Sequence, residues 1–401
     1  MKKKIKLKAL SPIMVGGLRN SNNFLHSEDY ISGAVMRSAF ADDILLSNPN
    51  YKVNSISNSG KYNYVEYDEK LCSELSEAQK EVYKKFSDMY FSYFYPEDSI
   101  PAPLTTKVCK TCGTEHSLKD IVFNMGNLTC KDCEKYLKNT HLDDDKTNKI
   151  PKRMENLKGL IHLQGNKYVS TKVERSLSTH TSICYTTHTA LNGSLYSIDA
   201  IKKGTIFTGY IDDCDTGLIE LGKIVYAGKY SSNGFGKLQI VEISDVLNED
   251  LTSRVERFNN TFHEDANREY ISILLLSDAK LLSTDTADGS NILSTKEYNL
   301  LWKEAIFKDC NIFNVEKIFA QNTFYSGFDT SMGYNEWRKE PEILTLKGTS
   351  FKVSYDRKDK SKALEVLKTL ETNGIGNDTN NGYGQIAICH KIHCLGDNSN
   401  G

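Results

Sequence analysis

The sequence predicts an α+β fold in which one domain occurs twice, and two pairs of repeated segments are the main observation behind that prediction. Gly204-Thr-Ile-Phe207 recurs as Gly348-Thr-Ser-Phe351, and the segment Asn-Gly-Phe-Gly at residues 233–236 recurs as Asn-Gly-Tyr-Gly at residues 381–384. The pairs follow the same order at offsets of 144 and 148 residues, which indicates one register with a small insertion. The length of 401 residues agrees, because it exceeds what one small domain requires. We call residues 233–236 and 381–384 the first and second glycine loops.

The first copy opens with a predicted strand and then a predicted helix. Across residues 4–9 lysines alternate with apolar residues, a two-residue period that places lysines on one face of an antiparallel strand and apolar groups on the other. Ser32 is a typical helix-capping residue, and the apolar spacing after it predicts a helix over residues 33–46. We therefore expect the order strand, helix at the start of this copy.

The second copy supplies similar elements. A strand is predicted over residues 270–282, and a helix over 294–309 opens with the capping-box pair Ser294 and Glu297. An amphipathic helix over 361–372 ends before Gly374, a typical C-terminal cap. Further strands are predicted at residues 205–210, 222–228, 237–243, 350–354 and 385–395. Two ferredoxin-like domains fit this set of predicted strands and helices best.

An insertion interrupts the first copy. Between residues 65 and 159 the pattern changes to a predicted helix at 77–95, then prolines, a cysteine-rich piece and the charged run 142–146, which is typical of a solvated linker. The predicted organisation is a first ferredoxin-like domain over residues 1–245, with the insertion at 65–159 inside it, and a second ferredoxin-like domain over residues 246–401.

Composition limits the class of protein and the class of partner. Fifty basic and 52 acidic residues give a net charge of −2, with 39% hydrophobic residues, which excludes a histone-like protein and a wholly disordered chain. Nucleic acid would bind through local patches, since the global balance supplies no net attraction. The longest purely aliphatic stretch, residues 273–276, is far too short to span a membrane, and no apolar secretory segment follows the N-terminal lysines. We expect a cytoplasmic protein with no membrane partner, whose ten cysteines are thiols or metal ligands.

Two CxxC pairs predict a zinc site in the insertion. Cys109 and Cys112 are followed after seventeen residues by Cys130 and Cys133. Four thiolates at this spacing suit tetrahedral coordination of Zn²⁺, and Gly113 after the first pair permits a tight turn. A site closed by four cysteines has no open position for a substrate, so the predicted Zn²⁺ is structural and stabilises an insertion that has no core of its own.

Several loops carry residues suited to contact with a phosphate-bearing polymer. Glycines without a Cβ let a backbone approach a phosphate, helix N-termini attract anions through free N–H groups, and arginine is a planar bidentate donor. A hydroxyl-rich, mildly basic hairpin over residues 172–192 suits sugar and phosphate contacts. The candidates are Gly16, Gly17, Arg19, Asn20, Gly33, Arg37, Lys172, Arg175, His188, Gly234, Phe235, Gly236, Gly374, Gly376, Gly382, Tyr383 and Gly384. Each glycine segment can equally be a structural turn, and the hairpin can equally be a solvated one.

Catalytic motifs are scarce. The sequence contains no G-x-S-x-G, no H-E-x-x-H and no kinase set. His26, near Tyr30, is a candidate general base for metal-independent RNA cleavage, although a lone loop histidine is also compatible with no catalytic role. Asp42 and Asp43 are more typical of a solvated helix face than of a metal site.

Several segments taken together resemble a known family. Besides the repeated segments, they are Leu10-Ser-Pro12 with Gly16, Tyr30-Ile-Ser-Gly33, Pro101-Ala-Pro-Leu104, Thr187-His-Thr-Ala190, Gly193-Ser-Leu-Tyr196, Tyr325-Ser-Gly-Phe328 and Gly374-Ile-Gly376. Over nearly its whole length the chain resembles the RAMP superfamily of CRISPR-Cas proteins, most closely the group-five-like subunit that binds the crRNA handle in type III-D effector complexes. Ser32 departs from the pattern, since such proteins usually have proline there.

The resemblance implies a function in antiviral defence. It implies two RRM-like ferredoxin folds, a place in a multisubunit ribonucleoprotein, a grip on the repeat-derived 5′ handle of the crRNA, and contacts with the large polymerase-like Cas subunit and the adjacent backbone RAMP subunit. The leading interpretation is a non-catalytic RNA-binding and scaffolding subunit. Because some RAMP relatives cleave precursor repeats, the alternative is a metal-independent RNA-processing endonuclease using His26 and Tyr30. A third interpretation is a backbone subunit that cuts target RNA with an acidic residue such as Asp42.

Overall fold

The computed structural model describes most of the chain. It covers residues 2–16, 19–21, 23–47, 75–96, 98–111, 113–122, 154–165, 167–212, 214, 216–246, 249–262, 265, 267–283, 294–308, 310–326 and 340–394. Over these residues the protein is a mixed α+β structure, as the sequence predicts, with five α-helices and a larger number of strands. None of the helices in this part of the chain is long and apolar enough to cross a membrane.

The helices and strands are numbered in chain order. The α-helices of the described residues are α1 (Gly33–Ser47), α2 (Glu77–Asp88), α3 (Leu251–Thr261), α4 (Thr295–Phe307) and α5 (Lys360–Asn373). The strands are β1 (Lys3–Ala9), β2 (Arg19–Ser21), β3 (Phe24–His26), β4 (Tyr90–Phe91), β5 (Tyr95–Pro96), β6 (Ile100–Pro101), β7 (Thr106–Cys109), β8 (Gly113–Asp120), β9 (Met154–Asn156), β10 (Leu160–Gln164), β11 (Lys167–Thr171), β12 (Arg175–Ile183), β13 (Ala190–Ile201), β14 (Ile206–Asp212), β15 (Ile224–Tyr226), β16 (Lys237–Asp245), β17 (Arg268–Leu275), β18 (Phe313–Phe319), β19 (Asn322–Tyr325), β20 (Glu342–Thr345), β21 (Ser350–Asp356) and β22 (Ile386–Ile388).

One sheet organises the first half of the chain, residues 1–245. Its strand order is β15-β16-β1-β14-β4, with β5 also paired to β14, and β1 runs antiparallel to both of its neighbours. The alternation along β1 is the predicted one, since Leu7 is fully buried and Lys8 is exposed. Leu7 packs in one core with Phe40 of α1 and Phe86 of α2. Both helices therefore cover the same face of this sheet.

A second sheet organises the second half, residues 246–401. Its strand order is β18-β21-β17-β22, and every neighbouring pair is antiparallel. Along the chain its elements follow as β17, α4, β18, β21, α5 and β22, with the ribbon of β19 and β20 between β18 and β21. Trp302 of α4, Phe351 of β21 and Leu367 of α5 belong to one core. Each of these two helices thus connects a pair of strands and packs onto their sheet.

The repeated segments occupy corresponding places in the two sheets. The Gly-Thr-x-Phe segments lead into β14 and β21, each of which pairs with the opening strand of its half, β1 or β17. The two glycine loops lead into β16 and β22, each of which pairs with the other side of that opening strand. The remaining neighbours of β14 and β21 are β4 with β5 in the first half and β18 in the second.

Smaller sheets are formed by the chain between β5 and β14. Their strand orders are β8-β7-β9 and β11-β10-β6, and the long hairpin of β12 and β13 joins two N-terminal strands in the order β12-β13-β3-β2. Val108 of β7, Ile161 of β10 and Tyr168 of β11 share a core with Leu274 of β17. This region therefore packs against the second half as well as the first.

Several predicted elements are shorter in the structure, and three of them end well before the predicted residue. The helix predicted at residues 77–95 ends at Asp88, because the following residues pair with β14 as β4 and β5. The strand predicted at 270–282 ends at Leu275, and the one predicted at 385–395 ends at Ile388. At Cys389 the backbone enters the left-handed region with φ +49, which interrupts extended pairing, and a 3₁₀ turn follows.

The two halves meet at a cluster of tyrosines. The ring of Tyr30 stacks on that of Tyr93 with 5.3 Å between centroids, and Tyr93 meets Tyr383 of the second half edge-on at 6.1 Å. The Tyr93 hydroxyl donates to Asp278 Oδ2 at 3.3 Å, and Lys347 Nζ lies 4.1 Å from the centroid of the Tyr30 ring. These contacts hold the second glycine loop against the first half.

Candidate nucleic-acid interface

The long hairpin of β12 and β13 has two different faces. Side chains alternate along each strand, so directly opposed residues share a face. His180 and Tyr196 are opposed and lie on one face, whereas Leu177 and Asp199 are opposed on the other. The first face is turned toward the first glycine loop, because the rings of His180 and Phe235 are 5.9 Å apart.

Four aromatic rings meet between the hairpin and this loop. His180 and Tyr196 stack with 5.4 Å between centroids, and Tyr196 stacks with Tyr230 at 6.4 Å. Phe235 is buried and lies 6.3 Å from Tyr230. The Ser178 hydroxyl is 2.9 Å from His180 Nε2 and orients that ring. We call His180, Tyr196 and Tyr230 the first aromatic surface.

A groove runs along the first aromatic surface. Its volume is about 270 Å³, and its lining residues are Asn23, Leu25, Ser182, Ser194, Leu195, Tyr196 and Tyr230. Pockets for drug-sized ligands are larger, roughly 300–1,000 Å³, so this groove suits one planar ring system. These lining residues offer ring faces, hydroxyls and an amide and include no charged side chain. The groove therefore suits the uncharged base of a nucleotide better than its phosphate.

Left-handed backbone positions shape the first glycine loop. The φ angle is +63 at Tyr230, +88 at Gly234 and +83 at Gly236. A Cβ at Gly236 would lie 2.5 Å from the carbonyl oxygen of Ala227, so only glycine lets the backbone close on itself there. This tight turn sets Tyr230 and Phe235 side by side, where they can face the hairpin.

The second glycine loop is packed against other backbone. A Cβ at Gly382 would lie 2.4 Å from the carbonyl oxygen of Phe91, and one at Gly384 would lie 1.8 Å from that of Ile375. Similar closeness to backbone oxygens holds for Gly374 and Gly376. The glycines of this loop are therefore required by packing, whereas Asn381 and Tyr383 are partly exposed.

The predicted anion site at the start of α1 is covered by protein. A Cβ at Gly33 would lie 2.2 Å from the carbonyl oxygen of Phe91 and 2.3 Å from that of Asn381. One turn later, Arg37 donates to the carbonyl oxygens of Phe86 and Met89, each at 2.9 Å. Its guanidinium therefore caps the C-terminal end of α2.

The basic candidates near the hairpin fall into two groups. Arg175 donates to the carbonyl oxygen of Ser27 at 2.8 Å and forms an ion pair with Asp29, so it braces the loop before α1. Lys172 is exposed between β11 and β12. His188 is exposed at the hairpin tip. Lys172 and His188 therefore face solvent.

The N-terminal candidates lie close to the same sheet. A Cβ at Gly16 would meet nothing within 4 Å, and Gly17 lies outside the described residues. Arg19 and Asn20 belong to β2, which pairs with β3 in the sheet of the long hairpin. The structure thus brings β2, the hairpin and the first glycine loop into one region.

The two catalytic candidates have different surroundings. His26 Nδ1 lies 2.7 Å from Asp199 Oδ2, on the face opposite the groove, because the preceding Leu25 lines the groove. Tyr30 packs in the tyrosine cluster, where burial first and then Asp278 raise the pKa of its hydroxyl well above the ordinary value. His26 is therefore paired with a carboxylate, while the Tyr30 hydroxyl is unsuited to accept a proton near neutral pH. Asp42 is exposed on α1.

Of the four predicted zinc ligands, Cys109 is described. It is buried at the end of β7 and is opposed to Gly113, whose φ of +62 forms the predicted tight turn. The other three predicted ligands, Cys112, Cys130 and Cys133, lie outside the described residues. Among the residues that are described, no three His, Cys, Asp or Glu side chains converge on a possible metal site.

The candidates drawn from the sequence omit much of the groove. Asn23 and Tyr230 are absent from them, and Tyr196 appears only within a segment that carries the family resemblance. Alternation of His180 with serines along β12 is a local signal of one functional face. No local signal joins Tyr230 to that face, because the contact exists only once the glycine loop packs beside the hairpin.

Comparisons with known proteins give loose structural likenesses. No protein-family model and no curated protein matches this chain. A chain in the type III-B Cmr-beta complex bound to cognate target RNA and AMPPnP aligns with a TM-score of 0.41 and 15% identity, over 94% of this chain and 90% of the other. A second Cmr-beta structure with cognate target RNA gives 0.40 and 15% over 96% of both chains, and the CRISPR-associated protein Cas6 gives 0.33 and 11% over 96% and 98%. At these values the likeness establishes neither a shared fold nor a shared function.

Proposed function

We propose that this chain is a non-catalytic RNA-binding and scaffolding subunit of a type III CRISPR effector complex. The observation that supports this most directly is the groove along the first aromatic surface. Proteins that bind single-stranded RNA stack unpaired bases on aromatic side chains and hydrogen-bond their edges. Tyr196 and Tyr230 supply stacking rings, and Asn23, Ser182 and Ser194 supply amide and hydroxyl groups in the same groove.

Within such a complex, the chain holds the 5′ handle of the crRNA and contacts the large polymerase-like subunit and the adjacent backbone RAMP subunit. The support is the sequence resemblance to type III-D group-five-like subunits, carried by segments that include both glycine loops and the start of α1. A net charge of −2 fits this role, because most of the surface would meet protein while a local groove meets RNA.

The proposal includes two ferredoxin-like domains that arose by internal duplication, over residues 1–245 and 246–401. The support is the agreement between sequence and topology, since both pairs of repeated segments lead into strands at corresponding places in the two sheets. In the second half, the strands of the large sheet and the two helices that connect them follow the order strand, helix, strand, strand, helix, strand. In the first half, the counterparts of β18 and β21 are β5 and β14, and they are separated by the long hairpin and by the part of the proposed 65–159 insertion that follows β5.

Binding of a labelled single-stranded handle RNA to the full chain tests this function. A stacked base contributes about 1–3 kcal/mol, so Tyr196→Ala and Tyr230→Ala are each expected to weaken binding roughly 5- to 150-fold. Tyr226→Ala is the matched control, because Tyr226 is 51% exposed on β15 and does not line the groove. Full affinity in both groove variants, or a purified complex without RNA, would contradict the proposal.

The proposal also includes one structural Zn²⁺ bound by Cys109, Cys112, Cys130 and Cys133. The spacing of the two cysteine pairs and the tight turn from Cys109 to Gly113 support it. A buried cysteine at the end of a strand, followed by a glycine in the left-handed region, fits the first half of such a site. When bound, the metal would supply folding free energy to the insertion and no chemistry.

A metal-independent RNA-processing endonuclease is the second candidate function. The observation that favours it is the 2.7 Å contact of His26 with Asp199, because a carboxylate orients an imidazole that acts as a general base. Incubation of repeat RNA with the protein in EDTA separates the two functions. A 2′,3′-cyclic phosphate product that disappears with His26→Ala would favour the nuclease, and intact RNA bound to the protein would favour the non-catalytic subunit.

A further inference from the structure

The second half also places a two-stranded ribbon beside its glycine loop. The ribbon of β19 and β20 lies in the chain between β18 and β21, and the long hairpin lies between the corresponding strands of the first half, β5 and β14. Thr345 of β20 is bridged to Ala279, whose neighbour Lys280 is bridged to Asn377 ahead of the second glycine loop. The same chain order therefore brings a ribbon and a glycine loop together in both halves.

Lys280 ties this ribbon to the second glycine loop. Its Nζ lies 2.7 Å from Glu342 Oε2 on β20 and also pairs with Asp378, while lying 5.1 Å from the centroid of the Tyr383 ring. Tyr325 is directly opposed to Glu342, so the two share one face of the ribbon. Burial first, and then Tyr325, raise the pKa of Tyr383 to about 12.

We infer that Tyr325 and Tyr383 form a second aromatic surface, on which a further unpaired base of the bound RNA strand stacks. The inference rests on the proposed function, since the ligand is the same RNA. Tyr325 is 45% exposed and Tyr383 is partly exposed, as a stacking surface requires. The ring of Tyr383 makes an edge-on contact with Tyr93, and the ammonium of Lys280 lies over it, 5.1 Å from the centroid.

A series of single-stranded RNAs tests the second surface on the full chain. Lengths from about 4 to 16 nucleotides cover the usual range of such sites. Tyr325→Ala is expected to leave the affinity for the shortest RNAs unchanged and to weaken binding of the longest roughly fivefold or more, because those strands reach both surfaces. Tyr325→Phe keeps the ring and is expected to keep the affinity.

Phe324→Ala is the matched control for this series. Phe324 is 72% exposed on the same strand, but its side chain lies on the opposite face of the ribbon, so its loss is expected to change binding at no length. An unchanged Tyr325→Ala affinity at every length, alongside weakened Tyr196→Ala binding, would overturn the second surface and leave the proposed function standing. Equal losses in Tyr325→Ala and Phe324→Ala would also overturn it. Failure of the unaltered chain to bind any RNA would refute both.

Discussion

Two separate physical constraints act on the loop glycines. Gly234 and Gly382 both have left-handed φ angles, +88 and +82, which a residue with a Cβ adopts only at a cost. At Gly382 a Cβ would also lie 2.4 Å from the carbonyl oxygen of Phe91, whereas at Gly234 it would meet nothing within 4 Å. Comparison of the two positions therefore separates backbone conformation from packing between the halves.

Gly382→Ala is expected to lower the free energy of unfolding more than Gly234→Ala does. Both variants carry a left-handed alanine, at a cost of about 1–2 kcal/mol. The contact with Phe91 adds the cost of overpacking, about 1–3 kcal/mol, to the Gly382 variant alone. Urea denaturation measures both losses. Equal losses would show that the loop moves away from Phe91 without cost.

A buried acid and base join the insertion to the C-terminal segment. The side chains of Asp120 and His393 are fully buried, with 3.0 Å between Oδ1 and Nδ1. Asp120 also accepts hydrogen bonds from the Thr105 hydroxyl at 2.6 Å and from the Val122 N–H at 3.0 Å. Burial by itself would raise the pKa of Asp120, but His393 and these hydrogen bonds outweigh it, so the pKa lies below its ordinary value.

Asp120→Ala is expected to destabilise the protein at neutral pH by about 1–3 kcal/mol for each buried donor left without an acceptor, because the Thr105 hydroxyl and the Val122 N–H both lose theirs. The lowered pKa predicts the pH dependence of this effect. The stabilisation by Asp120 is complete above its unfolded pKa, near roughly 4, and is lost as the pH falls through the lower folded value. Unfolding free energies of the wild type and the variant are therefore expected to converge on acidification.

Asp98→Asn is the control for that measurement, because asparagine tolerates the left-handed backbone at this position, where φ is +54. Asp98 also has a lowered pKa, but its carboxylate is more than half exposed beside Lys4, so its loss is expected to have a small effect. Denaturation curves recorded between neutral and strongly acidic pH give both comparisons. A constant difference between the wild type and Asp120→Ala over that whole range would show that Asp120 does not titrate with a lowered pKa.

At the scale of single elements, α1 and α2 are joined by a cap from a neighbouring helix. The last carbonyl groups of a helix have no partner within it, and α2 ends without a glycine. Arg37 of α1 donates to the carbonyl oxygens of Phe86, Ser87 and Met89 there. The arginine that the sequence marks as a phosphate ligand thus completes the end of another helix.

Arg37→Ala is expected to destabilise the fold by about 1.5–3 kcal/mol, the usual contribution of hydrogen bonds to a charged donor. The affinity of the folded variant for single-stranded RNA is expected to equal that of the wild type. Thermal unfolding and RNA titration of the same preparation measure the two quantities. A stable variant with weakened RNA binding would show that Arg37 belongs to the RNA-binding surface.

Removal of zinc is expected to destabilise the insertion more than the two large sheets. A metal bound by four thiolates adds its binding free energy to the folding of the segment that holds it. With chelator, amide exchange is expected to rise in β7, β8 and β9, while β1 and β17 stay protected by their own pairing. Elemental analysis of anaerobically prepared protein is expected to find zinc. Its absence would reject the proposed site.

At the scale of the whole molecule, the net charge and the chemistry of the groove both predict a weak dependence of RNA binding on salt. The net charge is −2, and the groove lining includes no charged side chain. RNA affinity of the isolated chain is therefore expected to fall only shallowly with salt, with a log–log slope of about −1 to −3, as for a few phosphate contacts on a single strand. Titrations at several salt concentrations give the slope. A much steeper slope would mean that a basic surface outside the groove dominates binding.

Some elements of the fold can be predicted from the sequence because their causes are local. The alternation in β1 and the capping box of α4 depend on a few neighbouring residues, and both are present as predicted. The end of α2 at Asp88 could not be predicted from the sequence, because it depends on pairing of the following residues with β14, which is distant along the chain. The strand predicted through Cys389 is wrong for a different reason, since the left-handed backbone there has no signature in a non-glycine residue.

By itself, the amino-acid sequence determined the α+β class, the positions of four of the five described helices and of seven of the ten strands in the two large sheets, and the two pairs of repeated segments, since periodicity, caps and repeats depend on short stretches of chain. Only the tertiary structure decided which residues meet. Tyr230 and Tyr196 come from separate segments, and packing of the first glycine loop beside the long hairpin makes them one surface. Packing equally turned Arg37 and Arg175 inward, because their hydrogen-bond acceptors are backbone carbonyls of other elements.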